Sequence, residues 1–128
     1  MKKETLTVET DEDGTIRYRN ANGERHNPYG PAVILANGEK EHYINGKLHN
    51  ENGPAIVCAN GDKFYYINGK LHNPHGPAVV GTNGRKSYYI NGELLTKAEF
   101  KAWQVEQTAP LHNKTATIDG IEYNLTAK

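Results

Sequence analysis

The chain has 128 residues and a formal net charge of zero, with 15 basic side chains set against 15 acidic ones. That balance excludes a general pull on nucleic acid or anionic lipid and leaves only local patches for such partners. Hydrophobic residues make up 36%, with 13 glycines and 8 tyrosines, a mixture that suits strands joined by tight turns better than a closed spherical core.

The first residues, Met1-Lys2-Lys3-Glu4-Thr5, lack the apolar stretch of a secretory signal. No run of about 18 apolar residues exists, so no membrane span is expected. The one cysteine, Cys58, has no internal partner, which points to a reducing compartment. The expected location is a cytoplasm, that of the host if the protein is viral.

Taken in chain order, residues 5 to 19 predict a leading hairpin around Asp13-Gly14, with Leu6, Val8, Ile16 and Tyr18 alternating. This is an N-terminal capping hairpin within residues 1–25. From 26 to 95 the sequence repeats. Gly-Pro-Ala recurs at Gly30, Gly53 and Gly76, Asn-Gly at Asn37, Asn60 and Asn83, Tyr-Ile-Asn-Gly at Tyr43, Tyr66 and Tyr89, and His-Asn at His26, His49 and His72. Four landmarks keep one phase of 23 residues without an insertion.

Each unit reads as strand, turn, strand, turn. An apolar run follows Gly-Pro, as in Ala55-Ile56-Val57-Cys58-Ala59. Asn-Gly then predicts a type I′ turn. The return strands are Glu39 to Ile44, Asp62 to Ile67 and Arg85 to Ile90. A second Asn-Gly turns the chain into Lys47-Leu48-His49 and Lys70-Leu71-His72. Pro31, Pro54 and Pro77, which lack a backbone donor, belong at strand starts. After Leu94-Leu95, the pair Thr96 and Glu99 forms a capping box that opens a helix in the 96–108 segment, with Phe100, Trp103 and Gln107 toward one face. Within 109–128, Asp119-Gly120 between Ile118 and Ile121 signals a final hairpin. The expected fold is all-β, a single domain of tandem 23-residue hairpins in an extended antiparallel meander, capped by the helix.

Tyr65-x-x-Asn68-Gly69-Lys70-x-His72, followed by Gly76 and a second Asn-Gly at Asn83, resembles a divergent MORN-type repeat. The resemblance covers about residues 18 to 95. Gly-Pro-Ala and the His-Asn pair depart from the common form and are similar to a variant in bacterial, bacteriophage and large-virus proteins. Leu95-Thr96-Lys97-Ala98-Glu99-Phe100 resembles a segment that follows the last unit in phage versions. The resemblance implies a hairpin-repeat fold and a small accessory protein that acts by binding. It names no partner.

His26, His49 and His72 share a phase and invite a metal reading. Two strands per unit at roughly 4.8 Å each separate equivalent side chains by about 10 Å, whereas zinc holds its nitrogens at about 2.0 Å. They cannot share an ion, and each is expected to bond the backbone of the loop before Gly-Pro. No metal and no cofactor is expected. Catalytic spacings are absent, and Glu41 gives way to Phe64 and Ser87 in later units, so no carboxylate pair is maintained. Cys58, in phase with Leu35 and Gly81, reads as a small core residue.

The aromatics form two rows. Tyr43, Tyr66 and Tyr89 share one face. His42, Tyr65 and Tyr88 share the other, with Ile44-type residues two positions on. Either row could pack under the sheet, and either could dock a partner. The candidate binding residues are Phe64, Tyr65 and Tyr88 as anchors, with Tyr43, Tyr66 and Tyr89. The leading functional expectation is a non-catalytic protein-binding factor, such as a phage-encoded inhibitor of a host defence protein. One alternative is a sequestering module for a small anionic ligand or lipid headgroups, which would need a basic cluster around Lys40, Lys63 and Lys86. Another is an antitoxin-like or scaffold component. An open meander leaves edges and an uncovered face, so a homodimer is also expected.

Overall fold

The computed structural model describes residues 4–108 and the backbone of two further strands, Lys114–Ile118 and Ile121–Leu125. It is mostly β, with one short helix toward the C-terminal end.

Nine strands form a single antiparallel meander. They are β1 (Thr7–Thr10), β2 (Ile16–Arg19), β3 (Val33–Ile34), β4 (Lys40–Glu41), β7 (Ile56–Val57), β8 (Lys63–Phe64), β11 (Val79–Val80), β12 (Lys86–Ile90) and β13 (Glu93–Leu95), in that spatial order. Two small hairpins leave this sheet: β5 (Tyr43–Ile44) with β6 (Lys47–Leu48), and β9 (Tyr66–Ile67) with β10 (Lys70–Leu71). The strands β14 (Lys114–Ile118) and β15 (Ile121–Leu125) also pair antiparallel, Ile118 opposite Ile121. The Asp119-Gly120 turn expected between them lies outside the described residues.

The return strands are therefore not continuous, as expected from sequence, in the first two units. They break at His42 and Tyr65. There the backbone N–H leaves the local ladder and donates to Ala55 and Ala78 of the following unit, at 2.7 Å in both cases. The carbonyls of His42 and Tyr65 accept from His49 and His72 at 3.0 Å. In β12 the equivalent residue, Tyr88, has no further Gly-Pro-Ala to bond and pairs with Leu95 instead, so this strand runs unbroken.

The two Asn-Gly turns also differ. At Asn45, Asn68 and Asn91 both turn residues have positive φ (Asn68 +49°, Gly69 +81°), which is the type I′ pattern. At Asn37, Asn60 and Asn83 only the glycine is left-handed, for example Gly38 at +95°. The Gly38 N–H donates to the Leu35 carbonyl, and the Leu35 N–H donates to Glu39. This is a type I turn ending in a glycine bulge, not the type I′ turn predicted there. The Asn37 side chain decides it, because its Oδ1 accepts the Glu39 N–H at 2.9 Å and holds an Asx geometry.

The most deeply buried side chains are small. Ala32, Ala55 and Ala78 are fully enclosed, beside Val33 and Val79. Each of these alanines sits between two neighbours: the Ala55 N–H donates to Phe64, and its carbonyl accepts from His42. The loop before each alanine is held by asparagine. Asn27, Asn50 and Asn73 donate Nδ2 to the carbonyls of Pro31, Pro54 and Pro77 at 3.0 Å.

The histidines, expected to bond that loop, instead reach across to the next unit. Nδ1 of His26, His49 and His72 accepts the N–H of Asn45, Asn68 and Asn91, at 2.9 to 3.0 Å. The acceptor and its donor lie 19 residues apart in sequence.

Helix α1 (Lys97–Thr108) opens on the expected capping box. The Thr96 N–H donates to Glu99 Oε1 at 2.8 Å, and the Glu99 N–H donates to Thr96 Oγ1 at 3.1 Å. Phe100, buried, brings its ring to 4.8 Å from that of Tyr88 and 6.1 Å from Trp103. The helix packs on β12 and β13. Gln107, expected on this face, is exposed, while Gln104 donates to the Pro74 carbonyl at 3.1 Å. Among the described residues no helix is long and apolar enough to cross a membrane.

Candidate functional site

Along one side of the sheet the Asn-x-x-Gly-Pro loops stand as walls, and clefts open between them. The first cleft lies between the loops Asn27–Gly30 and Asn50–Asn52, over His42, Ile44 and His49, with a volume of about 510 Å³. The second lies between Asn50–Gly53 and Asn73–Pro77, over Tyr65, Ile67, His72 and Val80, with a volume of about 720 Å³. The third, about 230 Å³, has Tyr88 at its base, His75–Pro77 as one wall and helix α1 as the other, through Lys97, Phe100, Lys101 and Gln104. Asn50, Glu51 and Asn52 line both the first and the second cleft, and His75, Gly76 and Pro77 line both the second and the third. The three therefore form one row.

The row has a defined electrostatic character. Burial lowers the pKa of the His42 and His72 rings, with the Gly30 carbonyl opposing the shift at His42. Both rings are favoured neutral and behave as polar aromatic surface. The Glu51 side chain is 76% exposed and stands 3.5 Å from Nε2 of His49. Lys97 and Lys101 face the third cleft. The row is thus acidic near its middle wall and basic at its helix end.

The candidate residues from sequence divide between the two sides of the sheet. Tyr65 lies in the second cleft and Tyr88 in the third. Phe64 stands directly opposite Ile56 and Val79 in the ladder. Val80, the neighbour of Val79, lines the second cleft. The pleat therefore turns Phe64 away from that cleft. Tyr43 goes with Phe64's side, since its hydroxyl donates to Glu41 Oε1 at 3.2 Å and the Arg25 guanidinium lies 5.5 Å from its ring centre. Glu41 is the in-phase counterpart of Phe64, also opposite Ile56. Tyr66 and Tyr89 are half-buried. The structure thus does not bring Phe64 and Tyr65 onto one surface.

The loop tips are the site residues that sequence reading missed. Pro28-Tyr29, Glu51-Asn52 and Pro74-His75 line the clefts; inside a repeating Asn-x-x-Gly-Pro frame, their first residue is Pro in two units and Glu in one, and their second differs in every unit. Tyr29 is 71% exposed. Variation within a fixed frame was the available signal.

Burial, together with Glu39 and Asp62, pushes the Cys58 thiol up and away from the thiolate form. A hydrogen bond to Glu41, with burial, raises the Glu39 carboxyl. No group of three potential metal ligands exists among the described residues. No family model, curated protein or solved structure matches this chain.

Proposed function

We propose that the chain is an array of 23-residue, MORN-type β-hairpin units closed by helix α1, and that it is a non-catalytic binding protein. The observation that carries this reading is the cleft row: three clefts with shared walls, floored in phase by His42, Tyr65 and Tyr88 and edged by tips whose second residue, Tyr29, Asn52 or His75, differs in every unit. Floors that stay aromatic serve the fold as well as a ligand. Tips that vary on a rigid frame are free to fit something outside. Aromatic floors give a partner large contact area at low entropic cost. The partner is a protein. The likeness of Leu95 to Phe100 to a phage segment favours a viral accessory factor acting on a host protein.

The test is capture from bacterial cells with three forms of the full chain. One is unchanged, one carries Asn52→Arg and His75→Arg on the cleft walls, and one carries Phe64→Glu on the opposite side. The cleft reading expects a partner retained by the unchanged chain and by Phe64→Glu and lost by the wall variant. Retention by the wall variant and loss by a folded Phe64→Glu chain would move the binding surface to the other face.

A further inference from the structure

The cleft row has a spacing and a charge order, and together they define a ligand class. This inference rests on the cleft reading above. Two strands of the sheet separate each cleft from the next, a step of about 9.5 Å. A polyproline II chain returns to the same face every third residue after about 9.3 Å. A β-strand presents one face at about 6.7 or about 13.4 Å and misses that step. An α-helix needs about seven residues and 10.5 Å, and brings a body roughly 10 Å or more across.

We propose that the row binds an extended, proline-rich peptide in the polyproline II conformation, one apolar side chain per cleft, as in Pro-x-x-Pro-x-x-Pro. The walls and floors suit this chemistry. Tyr65 shares its cleft with Pro74, Pro77, Ile67 and Val80, so a flat ring and apolar walls meet the pyrrolidine. Such a ligand keeps its backbone solvated and needs no sheet edge. Charge sets its direction. Glu51, on the wall shared by the first two clefts, takes a basic residue of the ligand placed between its first two prolines. Lys97 and Lys101, at the third cleft, take an acidic residue beyond the last.

The experiment is a fluorescence-anisotropy titration of the full chain with labelled synthetic peptides. The first has the Pro-x-x-Pro-x-x-Pro spacing, an arginine between the first two prolines and an aspartate after the third. Two others keep the composition but space the prolines by two or by four residues. The proposal expects saturable binding of the first and at least about tenfold weaker binding of the other two. Two variants of the protein keep the result tied to the row. Glu51→Lys alters an exposed wall, and Tyr65→His installs the residue that the first unit already carries in phase. Each should weaken the first peptide by about fivefold or more. Equal binding of all three spacings overturns the register, and binding unaffected by either variant overturns the site. Absence of binding overturns the ligand class, while the loss of a captured partner in the wall variant would still uphold the clefts as the binding surface.

Discussion

One of the bonds that join each unit to the next ends on a histidine ring nitrogen. Nδ1 of His72 accepts the Asn91 N–H at 2.9 Å, so the proton of the neutral ring must sit on Nε2. A second proton would set N–H against N–H. Burial lowers the His72 pKa below its ordinary 6.5, so the folded state prefers the neutral ring. A depressed folded pKa means that the unfolded chain takes up the proton first. This contribution is therefore complete above pH 6.5 and is lost as pH falls through the folded value. Replacing His72 with Gln keeps an acceptor and removes the titration. The variant's melting temperature should fall less than that of the unchanged chain between pH 7.5 and 5, a difference of at most about 1 kcal/mol for a half-exposed bond. Equal falls would show that the ring does not titrate through this contact. The sequence made the histidine phase plain but not its partner, since a bond across 19 residues has no local signature. Gly69 was legible from its dipeptide alone. At φ +81°, with its N–H donated to the Leu48 carbonyl at 2.8 Å, it admits no β-branched side chain without strain. Gly69→Val should cost about 1–3 kcal/mol in thermal or urea unfolding, and an unchanged midpoint would contradict the turn.

At the scale of the element, helix α1 stands where another loop would begin. Thr96 and Phe100 fall 23 residues after Asn73 and Pro77. Thr96 Oγ1 accepts the Glu99 N–H as Asn73 Oδ1 accepts the His75 N–H, so a hydroxyl opens a helix where an amide closed a turn. Phe100 meets Tyr88 in the third cleft, and Pro77 lies beside Tyr65 in the second. The helix thus replaces the missing wall. Its cap was readable because a capping box is local, whereas Gln104 reaching Pro74 was not, because Pro74 lies 30 residues away. Packing should outweigh capping in holding this element. Phe100→Ala should cost about 3 kcal/mol or more, as for a large core truncation, and Thr96→Ala about 1 kcal/mol. Hydrogen exchange should then speed up in β12 and β13 and stay unchanged in β1 and β2. The reverse order of costs would mean that the helix is held by its own cap.

Over the whole molecule, contacts pass from each unit to its neighbour, so a unit should be removable. Deleting residues 50–72 joins His49 to Asn73. Every backbone bond that His49 and its neighbours make to the second unit then has a partner in the third. Asn73 in place of Asn50 follows His49, and Asn91 replaces Asn68 as donor to Nδ1 of His49. Gly92 replaces Gly69 as donor to the Leu48 carbonyl, and Ala78 replaces Ala55 as acceptor for His42. In the sheet, Glu41 would face Val79 as it now faces Ile56. Two specific contacts are lost, the Glu51 carboxylate 3.5 Å from Nε2 of His49 and the bond from the Thr82 N–H to Asp62 at 2.8 Å, and Glu39 stands at the position of Asp62 in the joined chain. The shortened protein should fold, keep the β-type circular-dichroism spectrum, and unfold cooperatively at a lower temperature, because one unit and one interface are gone. It should also keep the cleft against helix α1 and lose one of the other two. A deletion shifted to 23 plus two residues breaks the phase and should not fold. If both deletions behave alike, the stacking of interchangeable units is wrong, and the nine strands form a single sheet whose parts cannot be exchanged.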